Sequence, residues 1–133
     1  KGEVKESSQL WTSRSSPYVA TPVYHEGHLY WMDRSGYAVC LNASTGREAF
    51  RERLKSNSRD TPKFYASPVV VDGKIISVSR NAGAFVLDAK PKFKQLAQNT
   101  FKSDSSIFNA SPAVSSGRLF LRSDTHLYCI ASE

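Results

Sequence analysis

FYASPVVVDGKIISVSRNAGAFVLDAK, residues 64–90, decides the fold. An aromatic pair leads through Ala66-Ser67 into Pro68, and a short β-branched run, Val69-Val70-Val71, follows. Asp72-Gly73 then separates two apolar stretches, the strongest short-range signal for a β-hairpin. Lys74 to Ser79 returns as a second strand, and Asn81-Ala82-Gly83 makes another turn. Ala84 to Leu87 reads as a third strand, Asp88 to Pro91 breaks the chain, and Gln95 to Phe101 reads as a weaker fourth.

The same plan recurs on both sides. Tyr18-Val19-Ala20-Thr21-Pro22 with Gly27, and Phe108-Asn109-Ala110-Ser111-Pro112 with Gly117, repeat the aromatic, the Ser or Thr before Pro, and the Gly five residues later. The three prolines are 46 and 44 residues apart. In the first copy Glu26-Gly27 turns between PVYH and HLYWM, Ser35-Gly36 turns into YAVCL, and Ser44-Thr45-Gly46 leads to Glu48–Leu54. In the third, Ser116-Gly117 turns between PAVS and RLFLR, and Asp124-Thr125 turns into HLYCIA. Counting from each Gly makes Leu29, Ile75 and Leu119 equivalent, and likewise Tyr30, Ile76 and Phe120. Cys40 and Cys129 become equivalent if the third copy has one residue fewer in its turn.

Proline cannot donate to a sheet ladder, so each Pro belongs at the opening of a strand. Helical periodicity is nowhere sustained; Glu48 to Lys55 is the best helical stretch, and it is short and follows a Gly. Repeats of about 40–45 residues with up to four antiparallel strands are the mark of β-propeller blades. A β-sandwich would give no reason for one short motif to recur. The expected fold is all-β: about three four-stranded antiparallel blades, an incomplete propeller arc. Residues 1–16 are expected to hold the outer strand of a preceding blade and a linker, 17–56 the first repeat, 57–106 the second, and 107–133 a third lacking its last strand. The chain is thus expected to be the C-terminal segment of a longer propeller protein. An arc of this kind exposes sheet faces, which the remaining blades or self-association would cover.

The chain of 133 residues carries 18 basic and 12 acidic side chains, a net charge of +6. The basic residues are scattered, with Glu48 and Glu52 interrupting the cluster of Arg47, Arg51, Arg53 and Lys55. That pattern reads as a solvated basic surface rather than a dedicated anion site, and no nucleic-acid partner is expected. No run approaches the roughly 18 apolar residues of a membrane helix. Two cysteines are too few for a disulfide framework and fit no zinc or redox spacing.

The copies resemble the PQQ-like (pyrrolo-quinoline-quinone-type) propeller repeat. ATPVYHEGHLYWMDRSGYAVCLNASTGREAF, residues 20–50, matches that pattern nearly end to end, with Asn42 where Asp is usual and Phe50 where Trp is usual. The second copy keeps Leu87-Asp88-Ala89 but has Lys90-Pro91 in place of Thr-Gly. The family includes quinoprotein alcohol and sugar dehydrogenases as well as a non-enzymatic scaffold of the bacterial outer-membrane assembly machinery. The resemblance therefore implies either a binding or scaffold module, periplasmic or secreted in bacteria, or a segment of a PQQ-dependent oxidoreductase with its active residues elsewhere.

Candidate chemistry is sparse. The oxidoreductase reading calls for PQQ and for calcium held by six to eight oxygens; Asp33, Asp72, Asp88 and Asp124 are the carboxylates to consider, and their places at turns suit backbone capping better. Cys40 and Cys129 are expected to be two buried core thiols, in blades too far apart to bridge. His25 and His28 flank the Glu26-Gly27 turn and could face each other, with His126 two copies away; no closed metal-ligand set appears. The aromatics Trp11, Tyr18, Tyr30, Trp31, Phe64, Phe85, Phe108 and Phe120 recur at repeat positions and are expected to pack between blades, Phe64 and Phe108 above all. No catalytic, cofactor or metal residue is assigned. The favoured expectation is a non-enzymatic module that binds a protein or a saccharide through loops at the ring face.

Overall fold

The computed structural model describes residues 2–131; the outermost ends of the first and last expected segments lie outside these. Eleven strands form three antiparallel sheets. The first sheet holds β1 (Val23–His25), β2 (His28–Met32), β3 (Tyr37–Asn42) and β4 (Glu48–Arg53) in sequential order. The second holds β5 (Val69–Val71), β6 (Lys74–Ser79), β7 (Gly83–Asp88) and β8 (Gln95–Asn99). The third is a meander of β9 (Ala113–Ser115), β10 (Arg118–Arg122) and β11 (Leu127–Ala131), with β11 at its edge. Glu48–Arg53, the one stretch with helical promise, is a strand. Among the described residues only a single 3-10 turn, Glu6–Ser8, departs from the all-β description.

The repeated sequence signals have repeated structural causes. Glu26, Asp72 and Ser116 are the non-glycine residues with positive φ, and each is followed by a Gly with positive φ: Gly27, Gly73 and Gly117. Two consecutive left-handed residues are what a type I′ hairpin turn demands, so the Gly five residues after each Pro fixes the turn and with it the register. The resulting pairs are His25↔His28, Val71↔Lys74 and Ser115↔Arg118. Six residues beyond each Gly comes a buried polar side chain that caps the next turn. Asp33 accepts from the amides of Ser35 and Tyr37, Ser79 from those of Asn81 and Ala82, and Ser123 from those of Thr125 and His126. A bulge falls at the same place in the first two sheets, after Cys40 and after Val86.

The first strands of successive sheets lie beside one another, β1 against β5 and β5 against β9, as propeller blades converge on an axis. Between them the sheets pack face to face. Tyr30, Met32, Ala38 and Cys40 of the first sheet meet Ile75, Phe85 and Leu87 of the second, with Phe64 buried in the same cluster. Val78 and Ala84 from the other face of the second sheet meet Leu119, Leu121 and Tyr128 of the third, with Phe108 buried among them. Period-2 alternation is thus read on both faces: one set of residues packs backward and the next set forward.

The arc's two ends differ. Trp31, Val39 and Leu41, on the backward face of the first sheet, are covered by Trp11. The indole of Trp11 donates to the carbonyl of Ala43 at 2.9 Å and lies over Gly46, where an added Cβ would sit 2.6 Å from the ring. Gly46 also holds φ +68°, so both the turn and the close approach require glycine. At the other end, the forward face of the third sheet carries Phe120, Leu127 and Cys129, and nothing described packs on it. Two expectations are corrected here. Cys129 pairs with Phe120 as Cys40 pairs with Tyr30, so their equivalence holds, but Cys129 is exposed while Cys40 is buried. The cause is the third sheet's open face. Tyr18, expected between blades, is 57% exposed on the rim.

Candidate functional site

Antiparallel order places the β2–β3, β6–β7 and β10–β11 turns at the same end of the arc as the segments that lead into each Pro. That end carries the chain's most organised exposed chemistry. Tyr18 and Tyr65 precede the first and second Pro, and their rings lie 5.9 Å apart. Arg34 and Arg80 each stand seven residues after the hairpin Gly. The Arg34 guanidinium sits 5.0 Å from the Tyr18 ring centre and that of Arg80 4.9 Å from the Tyr65 ring centre. Arg80 also donates to the Asn109 side chain at 3.4 Å. The row Arg34–Tyr18–Tyr65–Arg80–Asn109 therefore spans all three repeats. Stacking on an aromatic face fixes a guanidinium while leaving its N–H edge available. Among the described residues neither Arg34 nor Arg80 has a carboxylate within ion-pair distance. In the third copy Asp124 takes the place of these arginines and lies 4.0 Å from Arg122, so the cationic row stops there.

Next to Arg80 a cleft of about 440 Å³ opens between the second sheet and the segment that leads into the third, bounded by Asn57, Arg80, Gln98, Thr100 and residues 104–108 among others. Its far wall is tied to the third sheet through Asp104. One oxygen of that carboxylate accepts from the amide and hydroxyl of Ser106 at 2.9 and 2.6 Å. The other accepts from the hydroxyls of Ser123 at 2.7 Å and Tyr128 at 2.6 Å. These bonds, led by the Ser106 hydroxyl, hold the Asp104 carboxyl well below the usual carboxylate range, and the same contact pushes the Tyr128 phenol up.

The residues singled out from sequence fall elsewhere. Asp33 forms an ion pair with Arg51 at 2.5 Å, Asp88 lies 3.7 Å from Lys90, and Asp72 occupies its turn. They sit at separate turns, so with Asp124 they offer no converging oxygen set of the kind calcium takes. His25 and His28 do lie opposite each other in register. The His28 ring is bonded to the Glu26 carbonyl at 3.0 Å, and His126 contacts Thr125 at 2.8 Å. Among the described residues no group of three or more His, Cys, Asp or Glu is placed to hold a metal. Cys40 is held by burial, which pushes its thiol up to about 11. Tyr18 was singled out from sequence only as a packing aromatic, and Tyr65 and the two arginines not at all, although a signal existed: a Tyr three or four residues before the Pro and an Arg at one fixed offset beyond it, in two copies of three.

The family described as outer membrane protein assembly factor BamB matches residues 3–92, more than half of the chain. The chain belongs to this PQQ-like β-propeller family. The match spans the first sheet and the first three strands of the second, and the third sheet continues their hairpin geometry, so the propeller-repeat reading covers the arc as a whole. No curated protein matches the sequence. For a BamB-family chain, fold is established at the level of the repeat, and the site must be argued from its own residues. Among the described residues no helix is long and apolar enough to cross a membrane.

Proposed function

We propose that this chain is a non-enzymatic propeller module that docks a protein partner through the ring face carrying Arg34, Tyr18, Tyr65 and Arg80, in an extracytoplasmic bacterial setting. The observation that carries the reading is the exposed row itself: two aromatic rings, each capped by an arginine with unspent donors, aligned across repeats. Tyrosine and arginine are the side chains that most often dominate protein interfaces, because they offer large area or several donors with little entropy to lose. The family name supports the setting, since it describes a factor in outer membrane protein assembly.

The test is direct binding of the whole chain to the purified periplasmic region of its host's outer-membrane assembly machinery. Tyr65→Ala and Arg80→Ala are expected to weaken binding by at least about tenfold each. Absence of binding, or binding unchanged by both substitutions, counts against the reading. Adding PQQ and calcium to the chain and following dye reduction with alcohols and sugars is expected to give no turnover; turnover would favour the quinoprotein alternative.

A further inference from the structure

We infer that the cleft between the second sheet and the 101–108 segment that leads into the third is a binding site for a small saccharide. The inference goes beyond protein docking and is tested without any partner protein.

The cleft's volume of about 440 Å³ lies within the roughly 300–1,000 Å³ of small-ligand sites. Its walls are fixed before any ligand arrives. The Gln98 amide accepts from the backbone of Asn57 at 2.8 Å and donates to the Ala82 carbonyl at 2.7 Å. Asn81 accepts from the Lys63 amide at 3.0 Å and donates to the Thr61 carbonyl at 3.3 Å. Phe101, stacked on Phe108 at 5.0 Å and close to Tyr128 at 4.7 Å, adds a braced aromatic ring to the lining. Preorganised walls lower the cost of ordering a ligand.

The chemistry of the lining selects the ligand class. Asp104 accepts from Ser106, Ser123 and Tyr128 and has the His126 ring 3.6 Å from one oxygen, and its side chain is buried, so its charge is directed inward. Arg80 is then the one cation on the wall. A phosphate or other multiply charged anion calls for several converging donors and cations, which one stacked arginine does not supply. An apolar ligand would desolvate hydroxyls and amides without replacing their hydrogen bonds. The side chains of Asn57, Thr100 and Ser105 bond to no other described residue, and each of them both donates and accepts. A sugar hydroxyl has that same dual character. The Phe101 ring is an apolar surface of the kind that the C–H face of a pyranose packs on, and Arg80 suits a ring oxygen or a single carboxylate.

Saturation-transfer NMR on the whole chain tests this, with maltose, cellobiose, N,N′-diacetylchitobiose and digalacturonate as probes and inorganic phosphate as the anion control. At least one disaccharide is expected to bind with a Kd of about 0.1–1 mM. Thr100→Val and Asn57→Leu are each expected to weaken it by about tenfold or more while leaving the melting temperature unchanged, because both side chains are exposed. The inference is overturned if no probe binds more tightly than about 10 mM, if binding ignores both substitutions, or if inorganic phosphate competes for the site.

Discussion

The backbone amide of Thr21 donates to the hydroxyl oxygen of Ser67 at 2.8 Å, and the amide of Ser67 donates in turn to Ser111 at 2.9 Å. The separations, 46 and 44 residues, are those of the repeat itself. The residue before each Pro is held extended by the ring that follows it, and the hydroxyl at that position links one blade to the one before. Ser67→Ala is expected to cost about 0.5–1 kcal/mol, the modest value of a partly solvated hydrogen bond. Ser67→Thr should retain most of that stability. Urea denaturation compares the two, and equal losses would show that the hydroxyl does not link the blades.

Phe64 and Tyr18 stand at one repeat position with opposite consequences. Phe64 is 1% exposed and packs edge-on against Phe85 at 5.6 Å, in the cluster that joins the first and second sheets. Phe64→Ala is expected to destabilise by about 3–5 kcal/mol through lost burial and the cavity left behind. Tyr18→Ala is expected to change stability by less than about 0.5 kcal/mol, since its ring lies on the rim. Thermal or chemical melts of the two variants should separate widely; similar losses would place Tyr18 in the core.

This contrast marks what was legible in the sequence. Hairpin turns, strand starts and sheet order were readable because glycine, proline and alternation act locally, and β5 and β6 have the bounds expected for them. The burial of Phe64 was also readable, because an aromatic that recurs at the repeat period just ahead of a strand suits the seam between two blades. Burial at the arc's ends was not. Cys40 and Cys129 share a register position, yet one faces the second sheet and the other an open face, and no local pattern carries that difference. The row of Tyr18, Arg34, Tyr65 and Arg80 was hidden for a related reason. Each Arg–Tyr pair forms within one repeat, but the two pairs join into a row only once neighbouring blades stand side by side.

The two thiols provide a chemical readout of that asymmetry. Burial pushes Cys40 up to about 11, so at pH 8 only about one part in a thousand would be thiolate, behind a packed interface. Cys129 lies on the exposed face of β11. A disulfide reagent at pH 8 is expected to label one thiol in the native chain and two after denaturation, with Cys129→Ser removing the native signal. Slow labelling of both thiols, or protection of Cys129 that persists on dilution, would mean that another surface covers the third sheet in solution.

Asp104 makes stability depend on pH in a defined direction. Its hydrogen bonds to Ser106, Tyr128 and Ser123 hold the folded carboxyl below its unfolded value of about 3.9. The unfolded state therefore takes up the proton first. The stabilisation is complete above about pH 5 and is lost as pH falls through the folded value. Tyr128 acts in the opposite sense. Its phenol is pushed up by Asp104, so its contribution is full below the ordinary tyrosine range and fades as pH rises through the folded value. The pair thus supports the cleft wall across the neutral range. Asp104→Asn should lower the melting temperature at pH 7 and flatten the acid limb of the stability curve, because the group that releases its proton on folding is gone. Tyr128→Phe should lower it at pH 7 while keeping part of the acid limb, since the Ser106 and Ser123 bonds remain. An Asp104→Asn chain that melts like the parent at pH 7 would show that this carboxylate does not anchor the wall.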